Sequence, residues 1–174
     1  MDLKISQFID FFCYKIWYNE FGDNMILGFA SDHRGFKLKE ELKKYFSDNG
    51  STIVDYGTNS EESCDYPDFA YKLGNGILTN EVDFGIAICG SGIGISIALN
   101  KMKGIYCAKV SNPDEAVHTR LDNNTNVIAF GEKMELNKAI LSVEQFINTE
   151  YSYLEKHNRR NKKVRQIENG EYNG

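Results

Sequence analysis

The stretch 86-IAICGSGIGISIA-98 holds the residues best suited to chemistry: Cys89, then glycines at 90, 92 and 94. An apolar run precedes them and a helix-like run follows, so this loop leaves a strand and enters a helix. Successive backbone N–H groups at such a point converge and hold an anion. That anion is either a phosphate or the negative oxygen of an enolate-like transition state. Oriented amides also favour the thiolate form of a neighbouring cysteine. A thiolate here acts as a nucleophile, given a histidine to activate it, or as a general base. The plain alternative is a strand-end cysteine packed as a small hydrophobe. The spacing is neither G-x-G-x-x-G nor a P-loop with its Lys-Ser/Thr, and it follows the third strand rather than the first. A dinucleotide site is therefore disfavoured.

The elements that must position this loop alternate along the chain. Short apolar runs at 25–30, 52–55, 84–88, 105–110 and 126–130 are strand candidates. Between and after them, 36–50, 68–80, the run from Ile93, 113–121 and 135–149 are expected to be helical, with one more helix in the tail. Residues 122–125 are expected to be a loop. Five-fold alternation predicts an α/β fold: a three-layer sandwich with a central five-stranded parallel sheet, Rossmann-like. Ligands of such sheets sit beyond the carboxyl ends of the strands. Asp32 and His33 follow strand one, Cys89 to Gly94 strand three, Ser111 strand four and Lys133 strand five. The polar connection 57-GTNSEESCDYP-67 is long enough to suspect function.

The 174 residues form one domain by length. A net charge of -5 argues against a nucleic-acid partner, and it leaves any phosphate binding to local groups. Cys13, Cys64, Cys89 and Cys107 show no C-x-x-C or Cys/His cluster, so no metal site is expected. Reduced thiols and a cytoplasmic location are the expectation. No run approaches the ~20 apolar residues that span a membrane. Residues 1–24 are apolar with scattered acids, unlike a secretory or transit peptide. A helical extension is expected there. The alternative is a natural start at Met25, since 25-MILGFA-30 already reads as a first strand. The domain then covers 25–168, followed by a short tail, 169–174.

Three motifs in order, 31-SDHRGFKLKEEL-42, 88-ICGSGIGISIALNK-101 and 122-DNNTNVIAFG-131, resemble the type B ribose-5-phosphate isomerases. These share a family with the galactose-6-phosphate isomerase subunits. The resemblance runs from about Met25 to about Ile167. It implies a metal-independent, cofactor-free aldose–ketose isomerase that interconverts ribose 5-phosphate and ribulose 5-phosphate through a cis-enediolate. By resemblance, Cys89 moves the proton between sugar carbons 2 and 1. The amides of Gly90, Gly92 and Gly94 hold the enediolate oxygen and Ser91 assists with its hydroxyl. Asp32 binds sugar hydroxyls or helps open the ring, His33 reaches the phosphate and Tyr66 borders the ring. The family implies a homodimer or homotetramer with sites across the subunit interface, so Asn123 and its neighbours come from the partner.

The chain departs from the family at identifiable positions. Asp122-Asn123 stands where the family commonly has His-Asn, a histidine credited with opening the furanose ring. Ring opening then falls to Asp122, to Asp32, or to an open-chain substrate. The family's phosphate arginines correspond to Lys133, Lys156 and Arg160, and lysine keeps the charge but loses the bidentate fork. Arg120 and Lys101 are weaker phosphate candidates. The alternatives to a five-carbon isomerase are the same chemistry on allose or galactose 6-phosphate, and a non-catalytic sugar-phosphate binding protein.

Overall fold

The computed structural model describes residues 25–174. The expected N-terminal helix and Cys13 lie outside the described residues. Five strands form one parallel sheet: β1 (Ile26–Ser31), β2 (Thr52–Asp55), β3 (Phe84–Cys89), β4 (Cys107–Lys109) and β5 (Val127–Gly131). Their order is β2-β1-β3-β5-β4. The helices are α1 (Phe36–Asp48), α2 (Tyr66–Leu78), α3 (Ile93–Leu99), α4 (Pro113–Asn123), α5 (Leu136–Asn148) and α6 (Glu155–Glu168).

Side-chain alternation along the strands divides the core in two. Leu27, Phe29, Ile86, Ile88, Ile128 and Phe130 face one way, onto Leu42 and Phe46 of α1, Ala116 of α4 and Val143 and Phe146 of α5. Ala30, Ala87, Cys89, Val127 and Ala129 face the other way, onto Leu73 of α2 and Ile95 and Leu99 of α3. The sheet is thus covered on both sides, as the near-continuous apolar strands require. The chain leaves β1 toward β2 at one edge and leaves β3 toward β4 at the other. The strand order therefore reverses between β1 and β3, and a crevice opens there beyond their carboxyl ends.

Several boundaries differ from the sequence expectation. Helix α2 starts at Tyr66, earlier than 68, because Pro67 sits in the first turn, where its missing N–H costs nothing. Helix α4 runs on through Asp122 and Asn123, which were expected to lie in a loop. It stops where Asn124 turns left-handed at φ 52°, a conformation asparagine tolerates. Strand β4 is also shorter than the run 105–110.

A buried ion cluster ties β2 to α1. Lys39 is fully buried, and its Nζ donates to both Asp55 oxygens at 2.8 and 2.6 Å and to Glu40 at 2.8 Å. Asp55 also accepts from the Gly57 N–H at 2.9 Å, and the Gly57 carbonyl accepts from Ser31 N at the end of β1. Burial pushes the Asp55 carboxyl up, but the bonds from Lys39, Lys43 and Gly57 outweigh it and hold the group below its ordinary value.

Candidate active site

Cys89 is the last residue of β3 and is only 4% exposed. Its Sγ accepts the Gly92 N–H at 3.2 Å, which fixes the thiol inside the loop that follows it. Gly92 has φ 76°, and a Cβ there would stand 2.6 Å from the Phe130 carbonyl carbon. Only glycine makes this turn against the end of β5. Ser91 Oγ accepts from Ile93 N at 3.2 Å and helps start α3. Tyr66, at the first turn of α2, lays its ring beside Gly94: a Cβ on Gly94 would come within 2.8 Å of it.

The neighbouring loop comes from β1. Asp32 is nearly buried, and its Oδ1 accepts the N–H groups of Arg34 and Gly35, both at 3.0 Å. It thereby shapes the entry to α1 beside Cys89. His33 Nδ1 lies 3.2 Å from both N and O of Cys64, which ties the long polar loop to this edge. From β5 the Glu132 N–H donates to the Cys89 carbonyl at 2.9 Å. Lys133 lines a cleft of about 470 Å³ with Gly90, Ser91, Lys109, Ser111 and Lys138. Asp32, His33, Tyr66, Cys89, Gly90, Ser91, Gly92 and Gly94 therefore gather at the reversal point between β1 and β3, and Lys133 opens onto the adjoining cleft at the ends of β4 and β5.

Asp122, Asn123, Lys156 and Arg160 do not join them within one chain. Cys89 pairs with Gly131, whereas Gly85 pairs with Val127. Val127 thus sits four strand residues, roughly 13 Å, below the Cys89 level. Helix α4 runs back along the sheet and ends just before Val127, at the amino edge. There Asp122 Oδ1 lies 3.4 Å from the Nε2 of buried His157, and the Asp122 carbonyl accepts from Asn161 of α6 at 3.0 Å. Lys156 and Arg160 are on the same helix.

Arg120 is occupied structurally. Its guanidinium lies 4.8 Å from the Phe84 ring and 5.7 Å from the Phe146 ring, and it donates to the carbonyls of Thr149 and Thr125. Burial pulls its pKa down. Cys107 is buried under α3, and burial pushes its thiol well up, so it packs as a hydrophobe. Among the described residues Cys64, Cys89 and Cys107 are free, and no three His, Cys, Asp or Glu side chains converge as a metal site.

The sequence reading missed Arg34 and Glu132. Arg34 donates to Glu132 through Nε at 3.1 Å and also through Nη2, forming a fork across the glycine loop. A Cβ on Gly90 would come within 2.7 Å of that guanidinium. Arg34 was visible beside His33 in 31-SDHRG-35, but its partner lies 98 residues away.

A cysteine and an amide-rich loop at the reversal point of a parallel sheet match the three sequence motifs in space. A family model described as Ribose/Galactose Isomerase matches residues 27–164. The chain belongs to this ribose/galactose isomerase family. It is 41% identical over 128 residues to ribose-5-phosphate isomerase B of Escherichia coli (strain K12), covering 72% of this chain and 85% of that one. The fold matches ribose-5-phosphate isomerase B of Clostridium thermocellum with a TM-score of 0.81 and 38% identity, over 85% of this chain and 100% of that one. It also matches ribose-5-phosphate isomerase B of Mycoplasma genitalium, solved with bound ribulose 5-phosphate, with a TM-score of 0.78 and 31% identity over 83% and 97% of the two chains. The family resemblance and the fold class expected from the sequence both hold. Among the described residues no helix is long and apolar enough to cross a membrane.

Proposed function

We propose that this protein interconverts D-ribose 5-phosphate and D-ribulose 5-phosphate through a cis-enediolate. The observation that carries this reading is Cys89, seated at the reversal point with the Gly92 N–H on its sulfur. Moving hydrogen between adjacent sugar carbons needs a base at carbon 2 and donors for the oxygen that becomes negative. Cys89 takes the proton from carbon 2 and returns it to carbon 1. The backbone amides of Gly90 and Gly94 hold the enediolate oxygen, with the Ser91 hydroxyl beside them, while the Gly92 N–H stays on the sulfur. Asp32 faces the sugar hydroxyls, Tyr66 borders the ring, and His33 and Lys133 take the phosphate. The Mycoplasma genitalium relative, solved with ribulose 5-phosphate, supports this choice of sugar.

The site is completed by a second copy of the chain. Asp122, Asn123, Lys156 and Arg160 lie at the far edge of their own sheet, so they serve Cys89 only from a partner subunit. The apolar Ile93 and Ile97 of α3, and Val164 and Ile167 of α6, are exposed in the single chain and suit such contacts. In that arrangement Lys156 and Arg160 add positive charge for the phosphate, and Asp122 with His157 acts at the ring oxygen.

The test is isomerisation of ribose 5-phosphate followed by NMR in deuterated water. Turnover with deuterium entering at the exchanged carbon is expected. Turnover of a six-carbon sugar phosphate in preference to ribose 5-phosphate would overturn the choice of sugar. Full turnover by Cys89→Ala would overturn the base.

A further inference from the structure

The Arg34–Glu132 fork has no role in the reaction described above, yet it spans the mouth of the site. Arg34 leaves β1 beside His33, and Glu132 leaves β5 beside Lys133. Their side chains meet over Gly90, the residue after Cys89. The Glu132 carboxylate therefore sits among the side chains of Arg34, Lys133 and His33. The Arg34 hydrogen bonds are the main influence holding it below its ordinary value, and the charges of Lys133 and His33 add to them.

A carboxylate in such a place occupies ground that a phosphate would take. A guanidinium fork receives carboxylate and phosphate oxygens with the same geometry. The Arg34 side chain is 53% exposed and that of Glu132 is 21% exposed. At that exposure solvent and salt screen the pair, so another anion can compete for the fork. The Arg34 side chain is long and half exposed, so its stem can follow a new anion.

We propose that Arg34, His33 and Lys133 form an anion notch in which Glu132 is a resident competitor, and that the phosphate of the incoming sugar displaces it and takes over the Arg34 fork. The notch rests on the isomerase reading for the identity of its ligand, a phosphate monoester. Arg34 is then a substrate-binding residue, and Glu132 sets how tightly phosphate is held. A built-in competitor raises KM and speeds product release, because the same carboxylate returns as the phosphate leaves.

The experiment titrates inorganic phosphate into the full-length protein by calorimetry and measures KM for ribose 5-phosphate alongside. Glu132→Gln is expected to tighten phosphate binding and lower KM, each several-fold. Arg34→Met is expected to weaken both about tenfold, and Arg34→Lys, which keeps the charge without the fork, to fall between. The double variant should follow Arg34→Met. Unchanged or weaker phosphate binding by Glu132→Gln would overturn the proposal, as would an Arg34→Met protein that binds phosphate like wild type. Thermal melts identify any variant that fails to fold, and the Arg34→Lys comparison then decides. Phosphate binding that follows this pattern in a protein without ribose-5-phosphate turnover would sink the isomerase reading and leave the notch standing.

Discussion

The Gly92 N–H donates to Cys89 Sγ at 3.2 Å, closing a three-residue loop around the thiol. This contact holds the proposed base and the amides proposed to face the oxyanion in one turn. Cys89→Ala removes the base and keeps the loop. It is expected to lower kcat about 10²–10⁴-fold, the range for a positioned general base, at a stability cost of about 1 kcal/mol. Steady-state turnover and a thermal melt on the same sample check both.

The turn itself depends on one glycine. Gly92→Ala would place an L residue at φ 76° and a Cβ 2.6 Å from the Phe130 carbonyl carbon, which is backbone and cannot swing away. The left-handed conformation alone costs about 1–2 kcal/mol. Both the urea midpoint and kcat should fall. An alanine variant with wild-type turnover would show that the loop geometry is not needed for catalysis.

Asp55 and Lys39 make an acid-sensitive joint behind the site. Asp55→Asn leaves the buried Lys39 with Glu40 as its remaining carboxylate and should cost up to about 3 kcal/mol. Burial pushes both Asp55 and Glu40 up, but their lysine bonds hold each below its ordinary value in the fold. Their contribution is therefore complete above the unfolded carboxylate pKa of about 4 and is lost as pH falls through the lower folded values. Denaturation at neutral pH and at pH 3 should show the Asn variant losing less stability on acidification than wild type. Equal losses in the two proteins would exclude the joint as an acid-sensitive element.

The proposed sharing of sites between two subunits makes a distinct prediction. Cys89→Ala chains and Lys156→Ala/Arg160→Ala chains should each be impaired alone. Mixed after unfolding and refolding, they form hybrids in which one site takes Cys89 from one chain and the cations from the other. Random pairing in a two-fold dimer restores about a quarter of wild-type activity. Recovery of none would place the whole site within one chain.

The sequence by itself determined the layer architecture and named half of the candidate site. Alternating apolar runs and amphipathic stretches specify a parallel sheet, because strands buried on both faces leave no polar alternation and each crossover needs a helix. Cys89, its glycines and the Asp32-His33 pair were legible because strand ends in such sheets converge at one edge. Helix ends were less legible. The proline of Tyr66-Pro67 reads as a breaker until the first-turn geometry makes it harmless, and Asn124, not Leu121, supplies the left-handed stop of α4.

Tertiary structure alone decided which distant residues meet. The register of β5 on β3 brings Glu132 against Arg34 and the Cys89 carbonyl, and no local spacing encodes a pairing across 98 residues. The backward run of α4 carries Asp122 and Asn123 to the opposite edge of the sheet, beside His157 of α6. The sequence assigned Asn123 and its neighbours to a partner subunit only through the family resemblance, and within one chain they lie apart from Cys89. Their separation follows from strand direction and pairing, which exist only once the chain has folded.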